Sequence, residues 1–432
     1  MGKNLNKIIA FAIGVSVISG SAIPVMAAEK KVKIVNEASS VITNNRPLLT
    51  VEDAMESAIS NSETLALLDK TISYKEKIND VSEKINDVQV DNDQMDDDIR
   101  DYNEDINDLS IKQLKQKRDY QEDILKTKVK KAYNELVTSQ LELDNLKLQL
   151  DSINKKYSDM KLKNQLGLAT TLDTSEFELN VRKLKDGIQS SESALKLAQY
   201  SFNNLTGLKV ENYTLSEDIE YDKFEIDGSV DDYLDEIVED YIEASLKQQV
   251  IDKNKEHLDD IKDDVKVTKD DKPDKNDYNN KPVKDDNGDV VGYKFNEEAY
   301  SKALSEYIGK LTNYMSYLGD KLSNISDQTN LNETKKAFKE ALRQYYVALI
   351  NQENIIEMDK SNFELSNQKL KNYKLQYDLG QITKNAYDDK IIEHQKLQLQ
   401  IRKDIKTYNE YKEQIQKPWI SLQNLYYLNN KS

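Results

Sequence analysis

The side chains that most often carry chemistry are sparse in this sequence. The 432 residues contain no Cys and two His, His257 and His394, far apart in the chain. Thiol nucleophiles, zinc sites and His-based acyl transfer therefore lack parts, and no Gly-rich phosphate loop is present. His394 falls on an apolar heptad row, where a packed ring is the expected role. Carboxylates are abundant, with 78 Asp and Glu against 61 Lys and Arg; at helical spacing they pair with Lys four residues away. The densest group is Asp91, Asp93, Asp96, Asp97, Asp98, Asp101, Glu104, Asp105 and Asp108. It lacks the mid-loop Gly that an EF-hand requires, so a solvated acidic face is expected and no metal site. Tyr is enriched to 25 copies, many at seam positions where the ring packs and the hydroxyl reaches water. No catalytic, cofactor-binding or metal-ligating residue is expected, and the chain reads as a non-enzyme. A net charge of −17 argues against nucleic acid and against adsorption to anionic lipid.

What remains is two short glycine turns and the elements around them. Leu136, Leu143, Leu150 and Tyr157 recur every seven residues, with Leu146, Ile153 and Met160 offset by three. This a/d pattern keeps one seam of a helix against a partner. It breaks at 166–173, where Gly167 can take the left-handed conformation of a helix end, and resumes as Val181, Ile188, Leu195 and Phe202. A second copy runs from Thr334 to Pro418: Leu349, Ile356, Phe363, Leu370 and Tyr377 lead into Leu379-Gly380-Gln381 and a return row of Tyr387, His394, Ile401, Tyr408 and Ile415. Laying Gly167 on Gly380 puts Tyr133 on Tyr346 and Leu136 on Leu349, which points to duplication. The fold class is all-α, two tandem antiparallel coiled-coil hairpins whose arms of roughly 35 residues would span about 50 Å each.

Four stretches resemble the TolC-type outer-membrane efflux proteins. Lys131-Ala132-Tyr133-Asn134-Glu135-Leu136-Val137 is similar to the start of that family's long helix. The turn Leu166-Gly167-Leu168-Ala169-Thr170-Thr171-Leu172-Asp173 resembles its helix tip. The run 198–208 resembles the end of its first half, and the run 49–63 its N-terminal helix. The resemblance implies three protomers forming a ring of twelve helices. It also implies that Leu166, Gly167, Leu168, Leu379, Gly380 and Gln381 form tips that dock a membrane-fusion adaptor of an inner-membrane pump or ABC transporter.

Along the chain, residues 1–27 read as a secretory signal peptide, with Lys3 and Lys7 before an apolar run and small residues ahead of Ala28. Export to the cell envelope or beyond is expected, and without Cys there is no lipidation at the mature N-terminus. A polar lead-in spans 28–48 and the first hairpin repeat 49–208, with an acidic insert at 79–110. A linker with minor β structure follows at 209–230, then the second repeat at 231–432, with a loop or disordered insert at 263–296 that could hold one small hairpin. The family carries barrel strands at the two inserts. Neither shows about ten residues of alternating polarity, so a typical outer-membrane barrel is not expected. Two functions follow: an export conduit docked through its tips, or a secreted coiled-coil structural or binding protein of the envelope that has lost transport.

Overall fold

The computed structural model describes residues 46–420 apart from 245 and 287. The expected signal peptide, most of the lead-in, and Leu422, Leu425 and Tyr426, expected to pack back on the second hairpin, lie outside them.

The heptad rows become long helices because the apolar positions repeat at three and four and neither Pro nor a turn signal interrupts them. Helix α1 (Val51–Asn61) starts at a capping box in which Thr50 and Asp53 each accept the other's amide at 3.1 Å. Ser62 breaks the helix and caps α2 (Glu63–Asp91). A turn at 92–96 reverses the chain into α3 (Asp97–Gln165), so the acidic stretch 79–110 is the crown of a helical hairpin. After the first glycine turn, α4 (Thr171–Thr206) returns along α3 and ends at Gly207, whose φ of 74° is left-handed. There a Cβ would meet the Asn61 side chain at 3.0 Å. At 69 residues α3 is about 100 Å long, double the sequence expectation.

The linker carries a 3-10 turn and the short strand β2 (Thr214–Leu215), which pairs in parallel with β1 (Leu48–Leu49). The Tyr133 hydroxyl pins this pair, donating to the Leu49 carbonyl at 2.6 Å and accepting from the Ser216 amide at 2.7 Å. Helices α5 (Val230–Ala244), α6 (Lys247–Asp260) and the single turn α7 (Lys262–Val265) follow, then two 3-10 turns. A bulged hairpin joins β3 (Lys281–Lys284) to β4 (Val290–Lys294). Strands of four and five residues are well short of the 9–11 or so that cross a bilayer. Helix α8 (Glu297–Asp378) then runs unbroken for 82 residues, about 120 Å, and α9 (Lys384–Gln416) returns along its lower part. No described helix is long and apolar enough to cross a membrane.

The helices form one open layer in two tiers. Near the glycine turns the order is α4, α3, α9, α8; at the opposite end it is α2, α3, α6, α8. Helix α1 packs on α3 and α4, and α5 on α8, between the tiers. The first hairpin's core gathers Val129, Tyr133, Leu136, Val137, Leu143, Leu195 and Phe202 with Ala54 and Ala58 of α1. The second gathers Phe338, Leu342, Leu349, Ile356, Ile401, Ile405, Tyr408 and Ile415 with Leu234 and Val238 of α5. Both seams are tight in the middle and loosen toward the turns: Leu136 and Leu349 are buried, Tyr157 and Tyr377 only half-buried.

Candidate functional site

The turns that end the two hairpins are built from the same hydrogen bonds. In the first, the amides of Leu166, Gly167 and Leu168 donate to the carbonyls of Leu162, Asn164 and Lys163; in the second, those of Leu379, Gly380 and Gln381 donate to Leu375, Tyr377 and Gln376. Each closes on a left-handed glycine, φ 72° at Gly167 and 69° at Gly380. This is the Schellman arrangement, which satisfies the last carbonyls of a helix and needs a residue without a Cβ at its centre. A threonine then caps each return helix: Thr170 accepts from the Asp173 amide at 3.1 Å, Thr383 from the Ala386 amide at 3.2 Å. Asp173 returns a bond to the Thr170 amide at 2.8 Å, a reciprocal box that Ala386 cannot make.

A polar ladder between α3 and α9 brings the two turns to one end of the layer. Ser152 donates to Asp389 at 2.8 Å, Lys155 bridges to Asp388 at 3.3 Å, and Asn385 reaches Asp159 at 3.3 Å. Higher up, Arg402 is buried between the hairpins and donates to Asn134 Oδ1 at 3.1 Å and to the Glu217 carbonyl. Burial lowers its pKa, opposed by the nearby Glu217 and Asp218, without threatening the charge of a guanidinium. The ladder escaped the sequence reading. Heptads reveal a helix's seam, whereas these contacts lie on the polar flank; the Lys155-Lys156 and Asp388-Asp389 pairs were the available signal.

The six candidate residues are thus neighbours on two adjacent turns. Leu166, Leu168 and Leu379 are 65%, 75% and 63% exposed, and Gly167, Gly380 and Gln381 are exposed beside them. Nothing lies within 4 Å of a Cβ built on either glycine, so these tips fill no internal space. Apolar side chains held in water by rigid turns suit contact with another protein better than chemistry. Both imidazoles stack on aromatic rings: His394 lies on Phe363 at 4.5 Å and His257 on Tyr102 at 4.1 Å, with burial lowering the pKa of both. Among the described residues no group of His, Asp and Glu is placed to hold a metal.

A crystal structure of a membrane protein from Pseudomonas aeruginosa aligns over 85% of this chain and 93% of its own, at 11% identity and a TM-score of 0.50. The fold is TolC-like. The Campylobacter jejuni CmeC outer membrane channel aligns over 96% of this chain and 98% of its own, at 12% identity and a TM-score of 0.43. The Vibrio cholerae outer membrane protein VceC aligns over 85% and 96%, at 8% and 0.45. The likeness of fold rests on the first of these. No family model and no curated protein matches the sequence. At the two inserts where the sequence resemblance implied barrel strands, the described residues carry the α2–α3 crown and the segment from α7 to β4.

Proposed function

We propose that this TolC-like chain is the extracytoplasmic conduit of an efflux or export system, assembled as a homotrimer in the cell envelope. The observation that carries the reading is the open layer α4–α3–α9–α8 with apolar side chains on both of its edges. Leu179, Leu197 and Tyr200 are exposed on α4, and Ile355, Met358 and Leu375 on α8. Levels set by Lys147 with Glu192, Ser152 with Asp389 and Ser366 with His394 place Leu197 opposite Met358 and Leu179 opposite Leu375 to within about a turn. An edge that matches the other edge of the same chain favours a ring, because heterologous contacts close when the rotation permits.

Leu166, Gly167, Leu168, Leu379, Gly380 and Gln381 would then stand six to a protomer around one mouth of the ring and dock a membrane-fusion adaptor serving an inner-membrane pump or ABC transporter. Light scattering on the protein without detergent tests the ring: a trimer mass is expected, and a monomer at all concentrations would overturn it. The absence of bilayer-length strands among the described residues favours a second reading, an envelope spacer that has lost transport. Leu166→Asp combined with Leu379→Asp separates the two. A docking tip predicts a trimer that fails to restore export in cells lacking the gene; full restoration would sink tip docking.

A further inference from the structure

Beyond Ile72, helix α2 is amphipathic the wrong way round for a lone copy. Its face toward α3 buries Asn79 and Asn86, 7% and 6% exposed, and Asn79 donates to Asp108 at 3.3 Å. Its aliphatic face looks into water: Leu67, Tyr74, Ile78, Val81, Ile85 and Val88 are 53–66% exposed. Their spacings alternate between four and three after Tyr74, the a/d row of a coiled-coil seam. Lys70, Lys77 and Lys84 border the row every seven residues. A stripe this narrow, edged by charge along its length, is the width that one partner helix covers. Helices that lie in lipid need a broader apolar face.

The opposite edge of the same tier carries a second such row. On α8, Ile308, Leu311, Met315, Leu318, Leu322 and Ile325 are 41–68% exposed with spacings of three and four. Tyr317, buried at 5%, shows that this helix too has its inner face satisfied within the copy. Thr312, Gly319 and Ser326 border this row on one side, where lysine stems can lie, and Tyr314 and Lys321 border it on the other. Helices α3 and α6 separate the two rows, so within one chain they do not meet.

Their levels correspond. Asp69 with Arg118, Glu76 with Lys115 and Asn79 with Asp108 set α2 against α3. Tyr102 with Asn254 and Asp105 with Lys253 set α3 against α6, and Gln248 with Gln328 sets α6 against α8. Followed across the layer, these contacts put Val81, Ile85 and Val88 at the levels of Ile325, Leu322 and Leu318 to within about one turn. The order is that of an antiparallel pair, and the three-four spacing of one row runs against the three-four spacing of the other.

We propose that the distal tier closes between copies, with α2 of one copy packed along the upper part of α8 of the next. A ring of helices then stands where the TolC-like fold has barrel strands. The inference rests on the ring proposed above and continues its α4–α8 contact along the same α8 edge. It makes the distal end a helical collar of α2, α3, α6 and α8 from each copy, sealed by the Val81–Ile325, Ile85–Leu322 and Val88–Leu318 levels.

The chain's lack of Cys makes the test clean. Val81→Cys with Ile325→Cys in one full-length chain places a thiol on each side of the distal contact. Leu197→Cys with Met358→Cys does the same for the turn-side contact. All four positions are exposed, so circular dichroism should be unchanged. With a short bis-maleimide, both double variants should give dimer and trimer bands on a denaturing gel, and the four single variants only monomer. Bands from the turn-side pair without bands from the distal pair would overturn the distal collar and leave the ring standing. Bands from neither would overturn both. Flotation of the uncross-linked distal variant with phosphatidylglycerol-phosphatidylethanolamine vesicles, with its thiols shielded there, would overturn the collar by assigning α2 to lipid.

Discussion

The two hairpins share a turn, bond for bond, and share almost nothing at their other ends. At a constant offset, the amides of Leu166, Gly167 and Leu168 find the same partners as those of Leu379, Gly380 and Gln381. Away from the turn, α3 rises into a crown with α2, whereas α8 rises farther and gathers α5, α6 and α7. The return arms also diverge: Arg402 of α9 stands where α4 has Gln189. Arg402 is buried against α3, and Gln189 is exposed on the layer's edge. Side chains on the flanks of the two hairpins distinguish α9, which faces α3 of its own copy, from α4, which stands at the layer's edge. The turn stayed alike because its geometry is fixed locally, by glycine at one position and a capping threonine three residues later.

The largest effect should come from breaking the asymmetry at Arg402. Arg402→Ala leaves the buried Asn134 Oδ1 without its donor and removes the contact to the Glu217 carbonyl. A loss of about 1–3 kcal/mol is expected, the cost of roughly one unsatisfied buried group, read as a shift in the urea midpoint. The matched change Gln189→Ala removes an exposed side chain and should fall within about 0.5 kcal/mol. Equal losses at the two sites would mean that the hairpins are not distinguished by this contact.

The second test presses on what they share. A β-branched residue at φ near +70° costs about 1–2 kcal/mol, and neither glycine has neighbours to add a clash. Gly167→Val and Gly380→Val should therefore destabilise by similar amounts in the same assay, and the double variant by their sum, since the strain is local to each turn. A marked inequality would show that one turn is held by contacts beyond its own backbone.

How much of this was written in the sequence depends on the distance over which each feature is decided. Gly167, Gly380 and the rows through Leu136 and Leu349 were legible because turns and seams are set by residues a few positions apart. His394 was legible for the same reason, since its place on the row implied a packed ring. The pairing of α3 with α9 was not. Periodicity says which face of a helix seeks a partner and is silent on which helix supplies it, and Arg402 looks like any solvated charge until Asn134 is beside it. The exposed rows of α2 and α8 sit at an intermediate depth. Val81, Ile85 and Val88 lie in the stretch read from sequence as an acidic insert, and only the three-dimensional layer shows that Asn79 and Asn86 take the inner face. The continuous span of α8 was hidden for another reason: the second heptad copy was read from Thr334, although no breaker before it marks the start of a helix.

The smallest effect sharpens the comparison at its closest point, the two caps. Thr170 receives the Asp173 amide and Asp173 receives the Thr170 amide, whereas the cap at Thr383 faces Ala386 and holds no carboxylate. The hydrogen bonds from the Thr170 side chain and backbone lower the Asp173 pKa below the usual 3.8. A carboxylate with a depressed pKa in the fold binds fewer protons than in the unfolded chain, so its contribution is complete above pH 3.8 and disappears as the pH falls through the lower folded value. The first turn should therefore loosen in acid while the second does not respond through its cap. Amide exchange at Asp173 and Ala386, followed from pH 5 downward and corrected for intrinsic rates, is the direct reading: protection at Asp173 should fall and protection at Ala386 should hold. Ala386→Asp should import the box into the second turn and bring the same acid sensitivity with it. If the two amides respond alike in the unmodified protein, the reciprocal bond at Thr170 is not what holds the first turn's cap.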